Sequence, residues 1–333
     1  MNPKHLTILC LRLDLGVVLK SPTRVFGGLV HTMWQVTTDK GRYAVKQLSQ
    51  RIDLLDNPQV VRNYGLTEQI AFRFGQQGIP VINALVNNRE HLIRIDSDGY
   101  LVYPWTDAQP LERNLVCERY ALKMAELAAR MHSINLCVPE IAEPIFIVHS
   151  NDRIRDLIQR STGENCSFAG FIAAHEEVLL ILNEQYQKVI PILKQQAVVS
   201  HGDMDQKNVL LDSNENVVVI DWECAGKLNP LYEMLDICLN WSGLATNLNS
   251  ALFMKMVQRY CASGGVIDES MVEPALYGVM GGRLNWFVYN LERSCSDDAE
   301  QRVIGVEQVT EVVPMMMRLH KAMPELIESI QKQ

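Results

Sequence analysis

Hydrophobic and polar positions alternate with a period of two along much of the N-terminal third of the chain, which is typical of β-strands. The alternating runs predict strands over residues 23–26, 30–38, 42–48, 90–95 and 99–103, with turns at 38–41 and 96–99. One helix is predicted between the third and fourth strands. Asn57 is a typical N-cap, Pro58 suits the first turn, and Gly75 and Gly78 mark the end. This region is therefore predicted to be a small β-rich unit with one helix.

The hydrophobic spacing changes to the helical period of about 3.6 near residues 103–105, and we expect a domain boundary there. Helices are predicted over residues 111–132, 151–160, 168–193, 231–241, 250–263, 270–293, 300–320 and 324–333. Pro314 is expected to kink or split the helix over 300–320. The predicted fold class is α+β, with a small β-rich N-terminal lobe over residues 1–103 and a larger, mostly helical C-terminal lobe over residues 104–333.

A short hairpin interrupts the helical part and is flanked by polar residues. Apolar runs over 209–211 and 217–220 surround an Asn- and Ser-rich turn. The hairpin brings Asn208, just before its first strand, close to Asp221, just after its second. An amide oxygen and a carboxylate that meet in this way can hold Mg²⁺, which prefers hard oxygen ligands. Asp203, in the preceding loop, is then available to orient a substrate hydroxyl, and the segment predicts a phosphoryl-transfer site.

The spacing of these polar residues matches a kinase catalytic loop. Asp203 and Asn208 form the pattern D-x-x-x-x-N, a base followed by a metal-binding asparagine. With His201 and a glycine before Asp203, and Ile-Asp-Trp-Glu at residues 220–223, the stretch resembles the aminoglycoside phosphotransferase and choline kinase-like family. A single aspartate that caps a turn or ends a strand is common in proteins of any function. Four residues that match the family motif at the correct spacing make such a purely structural explanation much weaker. The resemblance implies a bilobal protein kinase-like fold, ATP and Mg²⁺ as cofactors, and catalysis by Asp203, with His201 fixing the loop.

Lys46 is the candidate for binding the nucleotide phosphates. It ends the sequence Tyr-Ala-Val-Lys, which resembles the third-strand lysine motif of kinases, whose ammonium binds the α- and β-phosphates. Glu68 lies within the apolar stripe of the predicted N-terminal helix, and a carboxylate that faces a core needs a cation. The family pairs such a glutamate with the lysine, so we expect a Lys46–Glu68 ion pair. The alternative is that Glu68 lies at the edge of the stripe and pairs with a surface arginine.

Two further segments are candidates for nucleotide binding. Gly27 and Gly28 lie between the first two predicted strands, where backbone amides of a glycine loop cover the phosphates in kinases. The pattern G-x-G-x-x-G is absent, and a lone Gly-Gly is more often a simple turn. In the fold that the chain resembles, the linker between the lobes supplies backbone groups to adenine. This resemblance makes Val102, Tyr103 and Trp105 the adenine-contact candidates.

Two residues of the helical part are expected to have structural roles. His132, near the end of the first predicted helix of that lobe, is expected to be buried and hydrogen-bonded, as the corresponding family histidine is. Asp236 shares a helical face with apolar neighbours, and the family has an aspartate in a similar setting. Because a buried carboxylate needs hydrogen-bond donors, we expect the backbone amides of the catalytic loop to supply them.

The composition of the chain indicates which kinds of partner and which cellular compartment to expect. The 333 residues suffice for one large or two moderate domains. A net charge of −8 argues against nucleic acid or an anionic membrane as the main partner, and no apolar stretch reaches the roughly 20 residues of a membrane span. The apolar run at 6–15 is interrupted by charges, which argues against a signal peptide. The eight scattered cysteines indicate reduced thiols, so we expect a cytoplasmic protein. No sequence feature indicates an obligate protein partner, and we expect none.

The predicted activity is transfer of the γ-phosphoryl group of ATP to a hydroxyl of a small molecule, with Mg²⁺. Three interpretations remain open at this point. The first is an aminoglycoside phosphotransferase-like enzyme, and the second is a metabolic kinase that acts on choline, homoserine, methylthioribose or another sugar. The third is a nucleotide-binding regulatory module without catalysis, which only the degraded glycine loop favours. The motifs describe the catalytic groups and leave the acceptor undefined.

Overall fold

A computed structural model describes residues 1–25, 31–49, 57–112, 114–163 and 166–332. The chain folds into two compact units. The first unit consists of Met1–Leu111 and Lys207–Ala225, and the second consists of Glu112–Gln206 and Gly226–Gln333. The predicted catalytic segment is therefore shared: its loop up to Gln206 belongs to the second unit, and the hairpin that follows belongs to the first.

Antiparallel strands dominate the first unit, as the alternating pattern predicted. The helices and strands of its N-terminal part are α1 (Pro3–Arg12), β1 (Thr23–Val25), β2 (Thr32–Thr37), β3 (Arg42–Gln47), α2 (Pro58–Gln76), β4 (Ile93–Ile95) and β5 (Asp98–Pro104). Within the described residues these strands form a five-stranded sheet in the order β1-β2-β3-β5-β4. Helix α1, which the sequence did not predict, buries Leu6 and Leu9 in the same core as Val45 and Val102 of the sheet.

Helix α2 begins where the sequence predicted. The Asn57 side chain accepts hydrogen bonds from the backbone N–H groups of Gln59 and Val60, and Pro58 occupies the first turn. Past its end, Gly78 adopts φ +80°, a left-handed conformation that glycine reaches without steric strain. The buried face of the helix includes Glu68 among apolar residues, so the predicted inward position of that carboxylate is confirmed.

The second unit is mostly helical. Its helices are α3 (Glu118–Ile134), α4 (Asn151–Gly163), α5 (Ala169–Leu193), α6 (Pro230–Trp241), α7 (Ser250–Ala262), α8 (Val272–Ser294) and α9 (Ala299–Gln331). Two short strands, β7 (Val198–Ser200) and β10 (Gly226–Leu228), pair antiparallel and bring the two ends of the catalytic segment together. Together with the first unit, this confirms the predicted α+β class. Among the helices that the structure describes, none combines the length and hydropathy needed to cross a bilayer.

Two predicted helix boundaries are wrong. Helix α9 continues as one helix through Pro314 and Pro324, so the predicted split at Pro314 and the predicted separate helix over residues 324–333 are absent. Packing against α8 outweighs the missing backbone donors: Val309 and Val313 are buried, and an added Cβ at Gly305 would overlap the backbone of α8. Helix α3 begins at Glu118 instead of residue 111, and Gln109–Pro110, just before the predicted start, forms a short strand, β6.

Candidate active site

The predicted hairpin is present in the first unit. Its strands β8 (Val209–Leu211) and β9 (Val217–Val219) pair antiparallel, and β6 pairs with the outer side of β8. The backbone N–H of Ile220 donates to the carbonyl of Asn208 at 2.9 Å. Asn208 and Ile220 are therefore neighbours across the hairpin, and Asp221 follows directly. This is the juxtaposition of Asn208 and Asp221 that the sequence predicted.

Asp221 has an unusual backbone conformation. Its φ of 63° and ψ of 61° lie in the left-handed region, which aspartate tolerates better than most residues. The next side chain, Trp222, is buried, packs on Phe74 of α2 with ring centroids 5.5 Å apart, and donates from Nε1 to the carbonyl of Val219 at 3.3 Å. The buried tryptophan thus fixes the turn on which Asp221 lies. Sparsely populated backbone conformations of this kind cluster at functional sites.

Lys46 lies in β3 and is only 7% exposed. Its Nζ donates to Oδ1 of Asp221 at 2.6 Å and to Oε2 of Glu223 at 2.7 Å. Burial lowers the pKa of the ammonium, but the two carboxylates outweigh burial and raise it. Lys46 is therefore a cation at neutral pH, as a phosphate-binding lysine must be.

Glu223 is held in turn by His31. The backbone N–H of Ser49 donates to Nδ1 of His31 at 3.1 Å, so that nitrogen is the acceptor and Nε2 carries the proton. Nε2 then donates to Oε2 of Glu223 at 3.1 Å. Burial opposes ionisation of Glu223, yet the His31 hydrogen bond and the Lys46 charge lower its pKa to about 2. The phenol of Tyr64 lies 3.3 Å from the same His31 nitrogen, and burial together with Glu223 raises the tyrosine pKa to about 12.

Glu68 does not form the predicted direct pair with Lys46. Its carboxylate, 3% exposed, accepts hydrogen bonds from the hydroxyl of Tyr103 at 2.6 Å and from the backbone N–H of Ala84 at 3.1 Å. These two donors satisfy the carboxylate, while Lys46 bonds to the carboxylates of residues 221 and 223. Among the described residues no arginine pairs with this carboxylate either, and Glu68 is buried instead of lying at the surface. Burial raises the pKa of Glu68.

The remaining candidates for nucleotide binding differ in their exposure and contacts. Val102 is fully buried in the sheet core, so only its backbone is available to a ligand. Tyr103 points its hydroxyl at Glu68, and Trp105 is partly exposed just after β5. Adenine contact by these residues stays a prediction. Gly27 and Gly28, predicted to cover the phosphates, lie outside the described residues.

Buried groups of the second unit fix the loop that carries Asp203. The backbone N–H of Asp203 donates to Nδ1 of the fully buried His201 at 3.1 Å. The backbone N–H of Gly202 donates to Oε1 of Glu233 at 2.6 Å. Oε2 of Glu233 lies 2.6 Å from Nε2 of His132, which confirms the prediction that His132 is buried and hydrogen-bonded. Despite burial, His132 lowers the pKa of Glu233.

The carboxylate that supports this loop is Glu233, whereas the helical pattern predicted Asp236. Asp236 accepts hydrogen bonds from Nη2 of Arg283 at 2.6 Å and from Nδ2 of Asn240 at 3.2 Å, whereas the loop amide bonds to Glu233. The two acids lie one turn apart on α6, and periodicity alone does not distinguish them. Helix α6 also donates from Nε1 of Trp241 to the carbonyl of Met204 at 2.7 Å.

The donor set at the hairpin fits magnesium. Among the residues that the structure describes, no group of three or more His, Cys, Asp or Glu side chains is arranged to hold a metal ion. Asn208 and Asp221 instead offer one amide oxygen and one carboxylate. Mg²⁺ is commonly held by one or two such protein oxygens and completes its shell with water and phosphate. These residues therefore fit a magnesium ion that binds together with a phosphorylated ligand.

Several solved structures have a fold similar to that of this chain. Spectinomycin phosphotransferase in complex with ADP and spectinomycin has a TM-score of 0.69 and 11% identity, with 96% of this chain and 99% of that chain covered. An amicoumacin kinase in complex with AMP-PNP and Ca²⁺ has a TM-score of 0.64 and 12% identity over 93% of each chain. A choline/ethanolamine kinase family protein from Mesorhizobium loti has a TM-score of 0.60 and 13% identity over 99% of each chain.

At these identities the structural neighbours establish the fold, and the sequence match establishes the family. A search of curated proteins found no match in sequence. Residues 23–268 match the family described as "Phosphotransferase enzyme family". This match spans most of the chain and includes Lys46, Asp203 and the whole hairpin. The chain therefore belongs to the phosphotransferase enzyme family, as the motif around Asp203 predicted.

Proposed function

We propose that the protein is a small-molecule kinase that transfers the γ-phosphoryl group of ATP to a hydroxyl of its acceptor, with Mg²⁺ as the metal. The observation that carries the proposal is the ion pair between the buried Lys46 ammonium and Asp221. Asn208 lies in the same unit, next to Asp221 across the hairpin. Phosphoryl transfer needs mainly positioning and neutralisation of charge, and these three side chains offer both.

Each residue has a definite role in this proposal. Lys46 binds the phosphates of ATP, and Asn208 and Asp221 hold Mg²⁺, which when bound neutralises charge on the phosphates. Asp203 accepts or orients the proton of the acceptor hydroxyl. His201 has a structural role in this proposal, since its Nδ1 accepts the backbone N–H of Asp203. Because ATP is the donor, we also propose a cytoplasmic location.

The acceptor is proposed at the level of a class. The names of the structural neighbours mention spectinomycin, amicoumacin, and choline or ethanolamine, which favours an acceptor that carries a hydroxyl on a small, polar molecule. We favour an aminoglycoside phosphotransferase-like enzyme, and the second candidate is a metabolic kinase for choline, homoserine, methylthioribose or another sugar. A regulatory module without catalysis is disfavoured because every catalytic position of the motif is filled.

The test combines an acceptor panel with one substitution. ATP consumption is measured with each candidate acceptor, and Asp203→Asn is then compared with the wild-type protein on the best acceptor. General base catalysis contributes about 10²- to 10⁴-fold, so kcat is expected to fall by that factor while nucleotide affinity stays near the wild-type value. Asp205→Asn removes a carboxylate from the same loop and should keep kcat within about tenfold. Wild-type turnover by Asp203→Asn would refute its role.

A further inference from the structure

Lys46 has a close partner, Glu223, that the sequence did not predict. We propose that Glu223, held by His31, is the positioning residue for Lys46, a role that the family resemblance predicted for Glu68. The inference rests on the proposed function, because the lysine must be placed for ATP. It concerns how this chain places that lysine and adds no new group to the reacting atoms.

The contacts favour Glu223 over Glu68. Oε2 of Glu223 receives hydrogen bonds from Nζ of Lys46 at 2.7 Å and from Nε2 of His31 at 3.1 Å. The carboxylate of Glu68 is occupied by the Tyr103 hydroxyl and a backbone N–H. Moving Glu68 to Lys46 would leave those two donors without their acceptor in a buried place, which is costly.

The orientation of His31 makes Glu223 a rigid partner. Because Ser49 donates its backbone N–H to Nδ1, the imidazole presents its proton at Nε2 toward Glu223. Glu223 therefore has a fixed donor that stays in place when the lysine moves. A charged side chain as buried as Lys46 needs such a partner to remain ionised in one orientation.

Asp221 cannot replace Glu223 once ligands bind. In the proposed function the Asp221 carboxylate holds the metal, so part of its charge is no longer available to the lysine. Lys46 then keeps its hydrogen bond to Glu223 and directs its remaining donors at the phosphates, since an ammonium has three. In this proposal Asp221 binds the metal, and Glu223 positions the lysine.

The test measures nucleotide binding and turnover in matched variants. For Glu223→Gln we expect the Kd of AMP-PNP and the KM of ATP to rise roughly tenfold to hundredfold, since a hydrogen bond between charged groups is lost. The rise in Kd is expected without added Mg²⁺ as well, because the lysine, and not the metal, is displaced. Glu223→Asp keeps the charge and should recover part of the affinity. Glu90→Gln removes an exposed carboxylate from the same unit and should leave Kd unchanged.

His31→Gln is a second test of the role of Glu223, because it removes the donor that holds Glu223 and leaves Glu223 and Lys46 unchanged. Its Kd should rise a few-fold, and the double variant with Glu223→Gln should bind no more weakly than Glu223→Gln alone. Folding of each variant is checked by circular dichroism. The inference is overturned if folded Glu223→Gln binds AMP-PNP like the wild type, or if Glu68→Gln raises Kd more than Glu223→Gln does. If the wild-type protein binds no nucleotide, the proposed function itself fails and this inference falls with it.

Discussion

Replacing Glu233 by alanine tests whether one buried carboxylate holds the loop of Asp203. In the wild-type protein this side chain, 3% exposed, accepts hydrogen bonds from the Gly202 backbone N–H and from His132 Nε2, each at 2.6 Å. The hydroxyl of Tyr260 lies 2.8 Å from the other ring nitrogen of His132. Since Glu233, His132 and Tyr260 are all buried, water cannot readily replace the lost acceptor.

The expected loss of stability follows from these contacts. Alanine leaves two buried donors without an acceptor, at about 1–3 kcal/mol each. We therefore expect the free energy of unfolding of the second unit to fall by about 2–6 kcal/mol. At about 2–4 °C per kcal/mol, Tm should fall by about 4–24 °C. Glu233→Gln keeps an oxygen for Gly202 and should lose only about 1–2 kcal/mol.

Urea unfolding and calorimetry measure this loss. Because the chain has two units, far-ultraviolet circular dichroism and tryptophan fluorescence are followed together, so that separate transitions are recognised. Glu118→Ala is the control, since Glu118 forms a half-exposed ion pair with Lys255 at 2.8 Å in the same unit. Such pairs contribute about 0–1 kcal/mol. If the two alanine variants lose the same stability within about 1 kcal/mol, the proposed role of Glu233 is wrong.

Two further predictions concern the same unit. Since the folded-state pKa of Glu233 is lowered, its stabilisation is fully present above the unfolded-state pKa of about 4.3 and is lost as the pH falls through the folded-state value. Urea midpoints between about pH 3 and 6 should therefore drop less steeply for Glu233→Gln than for the wild type, and equal slopes would contradict the assignment. Arg283→Met leaves the partly buried Asp236, whose side chain is 20% exposed, without its cation, so we expect the free energy of unfolding to fall by about 1–3 kcal/mol. A variant also carrying Asp236→Asn should regain part of that loss, and a purely additive result would refute the pairing.

The sequence predicted the helices and hairpins whose formation depends on residues close together in the chain. Helix α2 was predictable from its Asn57 cap and its apolar stripe, and the catalytic hairpin from two short apolar runs around a polar turn. The hairpin alone brings Asn208 and Asp221 together, so this part of the candidate site followed from the sequence. Helix α9 shows the limit of local rules, because long-range packing on α8 overrides the helix-breaking tendency of Pro314.

The side-chain partners were not predictable, because they depend on which elements pack together. Periodicity correctly placed Glu68 in the core, but its partner depends on the register of β3 and β5, which brings Tyr103 opposite Ala44. Glu233 and Asp236 point from neighbouring turns of one helix, and only the folded unit decides which one meets the loop. Glu223 gave one available signal in the sequence: it is a second acid two residues after Asp221, the predicted metal ligand.

The central claim is that Lys46, Asn208 and Asp221 form a site for a magnesium-bound nucleotide. Calorimetric titration of the full chain with AMP-PNP, with Mg²⁺ and after its removal by chelation, tests this claim most directly. The wild-type protein should bind AMP-PNP more tightly with Mg²⁺, and Asp221→Asn should lose that enhancement while remaining folded. Absence of nucleotide binding by the wild-type protein, or an equal response to Mg²⁺ in both proteins, would contradict the account.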